Sequence, residues 1–380
     1  MHKITQIFLF LFCILQYACS SADFTLGIQR TNQYFPVISD KKIGVVANQT
    51  SMLQSTHLVD TLLASGLDVV RVFSPEHGFR GKADAGAHIE NGVDNKTGLP
   101  IISLYGSNKK PTVEQLQGID VLIFDIQDVG ARFYTYISTL HYVMEAAAQN
   151  NIPLIVLDRP NPNASYVDGP VLDTAYRSFV GMHPIPIVHG MTIGEYAQMI
   201  NGQKWLQDSL FCELTIVGME NYNHQMAYDL PIKPSPNLPN AISIALYPSL
   251  CLFEGTTVSV GRGTDIPFQH YGAPFLESVY SFVPKSGPGS KYPKHENVEC
   301  YGADLRNDTI HSLQLQWLIA AYNQSPDQDN FFNSFFDKLA GGSELREQII
   351  AGKSQQQIKE SWQADLQDFM RMRSVYLLYE

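Results

Sequence analysis

From about residue 42, short runs of consecutive apolar residues alternate with stretches whose apolar positions recur every three or four residues. Ile43-Gly44-Val45-Val46-Ala47 is apolar on both faces, which predicts a buried strand, and a helix follows around Thr56 to Ser65. Val69 to Phe73 and Ile101 to Leu104 are two further apolar runs, and Val113 to Gln117 is a short helical piece. Ile119 to Phe124, interrupted only by Asp120, predicts the strongest strand. Phe133, Tyr136, Ile137, Leu140, Val143, Met144 and Ala147 then fall on one face of an amphipathic helix. Pro153 to Leu157 predicts another buried strand, and Thr192-Ile193-Gly194-Glu195 has the capping-box spacing of a helix that ends near Asn201. Strands without a polar face, separated by helices, predict an α/β fold: a mostly parallel sheet covered by helices on both faces.

Beyond about residue 210 the pattern changes. Pro and Gly become dense over 231–248, 255–272 and 284–293. The tail from Thr309 to Tyr379 predicts mostly helix, with Trp317, Phe335, Leu339, Leu345, Trp362 and Phe369 as core anchors. A chain of 380 residues has room for two domains. The expected division is a catalytic sheet domain over 24–210 and a smaller α+β auxiliary domain over 211–380.

Acid exceeds base, 37 Asp+Glu against 26 Lys+Arg, and no block of Lys or Arg occurs. Nucleic-acid binding through a phosphate-neutralising face is therefore not expected. Residues 1–19 obey a different logic. A basic start, Met1-His2-Lys3, precedes a nearly apolar run from Ile4 to Leu15 and then small residues, the pattern of a secretory leader too short for a membrane span. Ala18-Cys19-Ser20-Ser21 resembles a loose lipoprotein box, so the expected product is an exported periplasmic or outer-membrane lipoprotein lipidated at Cys19. Cleavage near Ala22, leaving a soluble periplasmic protein, is the plainer alternative. Cys212, Cys251 and Cys300 remain in the folded part, too scattered for a disulfide framework or a metal site.

In an open parallel sheet, ligands bind beyond the carboxyl ends of the strands. The first strand ends in Asn48-Gln49, and the second runs into Ser74-Pro75-Glu76-His77-Gly78-Phe79-Arg80-Gly81. Ile119–Phe124 runs into Asp125 to Tyr134, and Pro153–Leu157 into Asp158 to Asn163. Glu76, Asp125, Asp128 and Asp158 are thus expected at one rim, with Arg80, Arg132 and Arg159 among them. Such carboxylates suit acid–base work, metal binding or sugar recognition, and the arginines favour a substrate that carries a carboxylate or phosphate. Asp125 or Asp128 can equally cap the following helix, and Asp158 can pair with Arg159 or order the Pro-rich turn. Glu76 stands apart, because a Pro-Glu-His-Gly turn has no structural need of an acid. His77 suits orientation of Glu76 or ligand contact as well as proton transfer. No Gly-x-Gly-x-x-Gly follows a strand, and Gly261-Arg262-Gly263 lacks the strand-turn-helix setting. Gly-x-Ser-x-Gly and Walker sequences are absent too.

The segments 74–81, 125–136 and 158–163 resemble the NamZ-type exo-β-N-acetylmuramidases, a family of bacterial cell-wall glycosidases. Pro186 to Thr192, Pro234 to Pro239, Tyr247-Pro248, Glu254-Gly255-Thr256 and Gly261 to Phe268 continue the match in order over about 42–275. Glu220 to Leu230 departs from the family's pattern, and the C-terminal helices match less distinctively. The resemblance implies a Rossmann-like domain plus an auxiliary domain, with the active site in the cleft between them. It implies release of terminal N-acetylmuramic acid from non-reducing ends of peptidoglycan fragments, without a cofactor. Glu76 is then the leading catalytic carboxyl, as general acid. Its partner is Asp125 or Asp128 acting on water, Glu254 reaching from the second domain, or the substrate's own 2-acetamido group. Arg132 and Arg262 are nominated as the fork for the lactyl carboxylate, with Arg80 and Arg159 behind them. Tyr134, Tyr136 and Tyr271 are nominated to stack on sugar faces, and His77, Asp158, His189, Asn237 and Thr256 to line the site. Arg262 is equally suited to bracing its loop, and Tyr136 sits on the apolar stripe. Two other functions compete: a non-catalytic envelope lipoprotein that binds muropeptides, and a phosphate- or nucleotide-sugar enzyme, which the missing Gly-rich loop disfavours.

Overall fold

The computed structural model describes residues 24–76, 78–80, 91–308 and 310–380. The expected leader, Cys19 and His77 lie outside the described residues.

The central sheet has seven strands: β1 (Ile43–Ala47), β2 (Val69–Ser74), β3 (Gly92–Val93), β4 (Pro100–Ser103), β5 (Val121–Asp125), β6 (Leu154–Leu157) and β7 (Leu214–Val217). Their order across the sheet is β3-β4-β2-β1-β5-β6-β7, and every neighbouring pair is parallel except β3–β4 at one edge. The winding direction reverses between β1 and β5. That is the switch point of a Rossmann-like sheet, where the strand ends open a crevice.

Alternate strand residues serve opposite faces. Val45, Val121, Ile123, Ile155 and Leu157 pack with helices Thr31–Ile38 and Leu58–Ala64. Val46, Leu122, Phe124, Leu154 and Val156 pack with helices Tyr136–Gln149 and Ile193–Gly202. Burial on both sides explains why β1, β5 and β6 contain no alternating polar positions. The Thr192 side chain accepts from the Glu195 amide while Glu195 accepts from the Thr192 amide at 2.8 Å, the expected capping box.

The second half contains helix Ala241–Leu250 and a three-stranded antiparallel sheet of β8 (His270–Ala273), β10 (Cys300–Asp304) and β9 (Tyr280–Phe282), in that order. Helices Gln316–Gln324, Phe336–Ala340, Glu344–Ile350, Gln355–Ser361 and Gln363–Ser374 complete it. The core layer that contains Phe124 continues through Leu246, Phe253, Trp317, Leu339, Trp362 and Phe369, so the two halves share one apolar core. Two expectations need correction. The parallel sheet is completed only by β7 at Leu214–Val217, so a boundary at 210 would cut off its last strand. Phe335 is not a core anchor: it is 39% exposed and lies on a cleft wall.

Candidate active site

Strand register brings the first site residues together. Ser74 pairs with Ser103 at the carboxyl ends of β2 and β4, so Glu76 and Tyr105 emerge next to each other. Tyr105 hydrogen-bonds to Glu76, and Thr135, just ahead of helix Tyr136–Gln149, donates to Glu76 Oε2 at 3.2 Å. Burial, reinforced by the Glu76 charge, raises the Tyr105 phenol well above its ordinary value, so this hydroxyl stays protonated as a donor.

Glu76 faces a cleft between the sheet's carboxyl edge and the second half. Its outer part, about 520 Å³, also takes in Tyr105, Phe179, Glu254, Arg262 and Phe335. It narrows to an inner recess of about 70 Å³. Glu76, Phe133, Thr135, Tyr247 and Arg262 border both parts and therefore mark the junction. Arg262 stands between two glycines with positive φ, Gly261 at 73° and Gly263 at 82°. Its Nε donates to Glu254 Oε2 at 3.0 Å, and its guanidinium lies 4.9 Å from the centre of the Phe268 ring. Burial works against the Arg262 charge, but Glu254, Tyr247 and Cys251 together outweigh it and hold the guanidinium above its usual pKa. The site therefore presents Glu76 from the sheet and a Glu254–Arg262 pair from the second half.

Of the other nominated residues, Tyr134, Tyr136 and Asn237 line the recess. Several do not reach the cleft. Asp125 is fully buried, and Arg159 grips both its oxygens at 2.5 and 2.9 Å, so this pair locks β5 to β6. Arg159 instead lines a separate cavity with Tyr228 and Gln127. Asp128 caps its own turn by accepting from the Gly130 amide at 2.7 Å. His189 accepts from the Met191 amide through Nδ1, and its Nε2 lies 3.7 Å from Asp128 Oδ2, so the imidazole braces that turn. Arg132 has no exposure and donates to four carbonyl oxygens, those of Pro170, Ile185, Leu339 and Ala340. It ties the sheet half to helix Phe336–Ala340 and has no fork left for a lactyl carboxylate. Arg80 is engaged by Asp94 at 2.7 Å, with Asp60 at 3.6 Å. Thr256 closes a loop by donating to the Phe253 carbonyl, and Tyr271 stacks on Phe253 within the core. Among the described residues, no group of three His, Cys, Asp or Glu side chains is placed to hold a metal ion.

Asp158 is also structural. It is fully buried and accepts from the Arg159 amide, the Gly194 amide, Thr192 Oγ1 and Tyr379 OH at 2.6–3.0 Å, pinning a helix start and the C-terminal tail beneath β6. Burial raises its pKa from 3.8 to about 6; the nearby Glu195 charge adds to this, and the Tyr379, Thr192 and Gly194 bonds oppose it. Because the folded state holds this proton more tightly, the group's stabilisation is complete below about pH 3.8 and is lost as pH rises through about 6. An Asp158→Asn variant keeps a neutral amide that can donate towards the Thr192 and Tyr379 oxygens. It is expected to flatten the fall in stability between pH 4 and 6, a difference of roughly 3 kcal/mol at pH 7. Urea titrations across that range check this; parallel profiles for variant and wild type would refute it.

Sequence reasoning missed Tyr105, Thr135, Ser235, Leu238, Tyr247, Phe268 and Phe335. Tyr105 was within reach, because it follows the apolar run Ile101 to Leu104 and strand ends were the informative positions. Thr135 lies inside the segment that carried Asp128 and Arg132. Ser235, Leu238, Tyr247 and Phe268 come from Pro- and Gly-rich stretches, where no periodicity indicates which side chains turn inwards, and Phe335 comes from the helical tail.

Both halves of the chain are similar to known proteins. Residues 43–242 match the family described as Exo-beta-N-acetylmuramidase NamZ, N-terminal, and residues 245–379 match its C-terminal counterpart. The chain is 39% identical to the Peptidoglycan beta-N-acetylmuramidase NamZ of Bacillus subtilis (strain 168), over 91% of this chain and 89% of that protein. A crystal structure of a DUF1343 family protein from Bacteroides fragilis NCTC 9343 has a TM-score of 0.88 at 47% identity, covering 94% of this chain and 99% of that one. A second DUF1343 family protein from the same organism has a TM-score of 0.82 at 31% identity, covering 94% of this chain and 100% of its own. With both halves matched in order, the chain belongs to the exo-β-N-acetylmuramidase NamZ family.

Proposed function

We infer that the protein is a glycoside hydrolase, an exo-acting β-N-acetylmuramidase that removes terminal N-acetylmuramic acid from peptidoglycan fragments. Besides family membership, the observation that carries this reading is one cleft holding Glu76 on one side and the Glu254–Arg262 pair on the other. Glu76 acts as general acid, passing its proton to the glycosidic oxygen as the bond to the anomeric carbon breaks. Glu254 takes a proton from the water whose oxygen joins that carbon. Arg262 spends its Nε on Glu254, and its terminal nitrogens form the fork for the lactyl carboxylate.

A chromogenic β-N-acetylmuramide is the direct test. The wild type should release the chromophore from it far faster than from the matching β-N-acetylglucosaminide, which lacks the lactyl ether. Arg262→Leu should lower kcat/KM on the muramide by roughly 10–100-fold, the effect of losing one charge-assisted contact, and narrow the preference. Equal wild-type rates on the two sugars would remove the case for lactyl recognition.

A further inference from the structure

Glu76 and Arg262 are the charged residues that border the recess, and both also border the outer cleft. Glu76 and Arg262 belong to the junction, whereas the residues found only in the recess are Tyr134, Tyr136, Ser235, Asn237, Leu238 and Phe268. These are aromatic or aliphatic surfaces with a few neutral polar groups. Arg262 meets a lactyl carboxylate at the junction, with its guanidinium 4.9 Å from the Phe268 ring, so the neutral groups beyond it suit an uncharged substituent better. A pyranose ring is excluded by size. Ordered water needs about 10–15 Å³ of such space per molecule, so about 70 Å³ accommodates only a handful of non-hydrogen atoms.

The polar groups narrow the choice further. The Asn237 side chain is buried, and its Nδ2 donates to the Gly289 carbonyl at 2.7 Å. That bond fixes the amide plane and leaves Oδ1 as the acceptor available to a ligand. Ser235 adds a hydroxyl, which can donate. A small neutral group that combines one N–H, one carbonyl and one methyl matches an acceptor, a donor and apolar walls. We propose that the recess is the pocket for the 2-acetamido group of the terminal muramyl residue, with Asn237 Oδ1 accepting its N–H and Leu238 and Phe268 enclosing its methyl.

This rests on the muramidase reading and adds a selection rule to it. The enzyme reads the acyl group on nitrogen as well as the lactyl ether, so wall fragments whose terminal muramic acid is de-N-acetylated are poor substrates. An N-propionyl group adds a carbon where Leu238 and Phe268 meet the methyl, so it is disfavoured as well.

Three chromogenic β-muramides test it: N-acetyl, N-propionyl and the free amine. Hydrolysis of the N-acetyl compound by the wild type checks the underlying activity by itself. Given that activity, kcat/KM should fall roughly 10–200-fold for N-propionyl, the range for one misplaced methylene, and at least as far for the amine. Leu238→Ala should raise the propionyl-to-acetyl ratio by about 10-fold or more, since it creates room where the extra carbon points. Asn237→Ala should depress turnover of the N-acetyl substrate by roughly 10-fold or more. Equal wild-type rates on the acetyl and propionyl substrates would overturn the proposal, and this reading needs no variant to fold. Wild-type turnover of the free amine within a few-fold of the N-acetyl substrate would also overturn it, because the recess would then not be reading the acyl group.

Discussion

Replacing Glu76 by Gln is expected to lower kcat on a β-N-acetylmuramide by roughly 10²–10⁴-fold, the usual contribution of a positioned proton donor. Gln keeps the size of Glu and still offers a carbonyl oxygen to the Thr135 hydroxyl, which now donates at 3.2 Å. It cannot protonate a departing sugar oxygen. Folding stability and affinity for an intact muramyl saccharide should therefore change little, which calorimetry on the inactive variant can establish. The same pair of measurements separates an enzyme from a non-catalytic muropeptide-binding protein on the same fold. Hydrolysis near the wild-type rate would show that Glu76 is not the acid, and the Glu254–Arg262 side of the cleft would have to supply it.

The second large effect concerns stability. Arg159→Met should destabilise the fold by about 3–5 kcal/mol, because removing one partner of a buried ion pair leaves the other charge uncompensated. Asp125 has no exposure and both its oxygens rest on Arg159. The double variant Asp125→Leu/Arg159→Met should recover much of the loss, since an apolar pair of similar volume carries no desolvation penalty. Urea unfolding of the wild type, the two single variants and the double variant closes the cycle. A cost below about 1 kcal/mol for Arg159→Met would mean that the pair is exposed in solution. Activity per folded molecule should stay within a few-fold of wild type; a collapse there would return Asp125 to the list of catalytic groups.

Asp125 and Glu76 illustrate how far the chain could be read without its fold. Both follow apolar strands, so both were correctly expected at the carboxyl edge of the sheet. Position along a strand is local, set by the run of apolar residues and the turn that ends it. Whether the carboxylate then faces ligand or protein depends on the neighbouring strand. β6 delivers Arg159 directly to Asp125, whereas β4 delivers a neutral tyrosine to Glu76. The arginines divide in the same way. Arg132 and Arg262 are both loop arginines near aromatic residues, and nothing local separates them. Four carbonyls from distant segments surround Arg132, while a single glutamate and an open cleft meet Arg262. Phe335 shows the converse: apolar character alone cannot distinguish a core anchor from a cleft wall.

The sequence by itself determined the elements, their parallel arrangement, the acid after β2 and membership of a family of muramyl glycosidases. Apolar periodicity, caps and strand-end residues act over a few positions, so they survive without knowledge of what lies across the sheet. The tertiary structure alone decided which carboxylates and arginines are spent on holding the halves together and which remain for a substrate. Burial and charge pairing depend on groups far apart in the chain: Arg132 meets Leu339 across 207 positions, and Asp158 meets Tyr379 across 221. Such partners carry no local signature, because only closure of the shared core brings them within hydrogen-bonding distance.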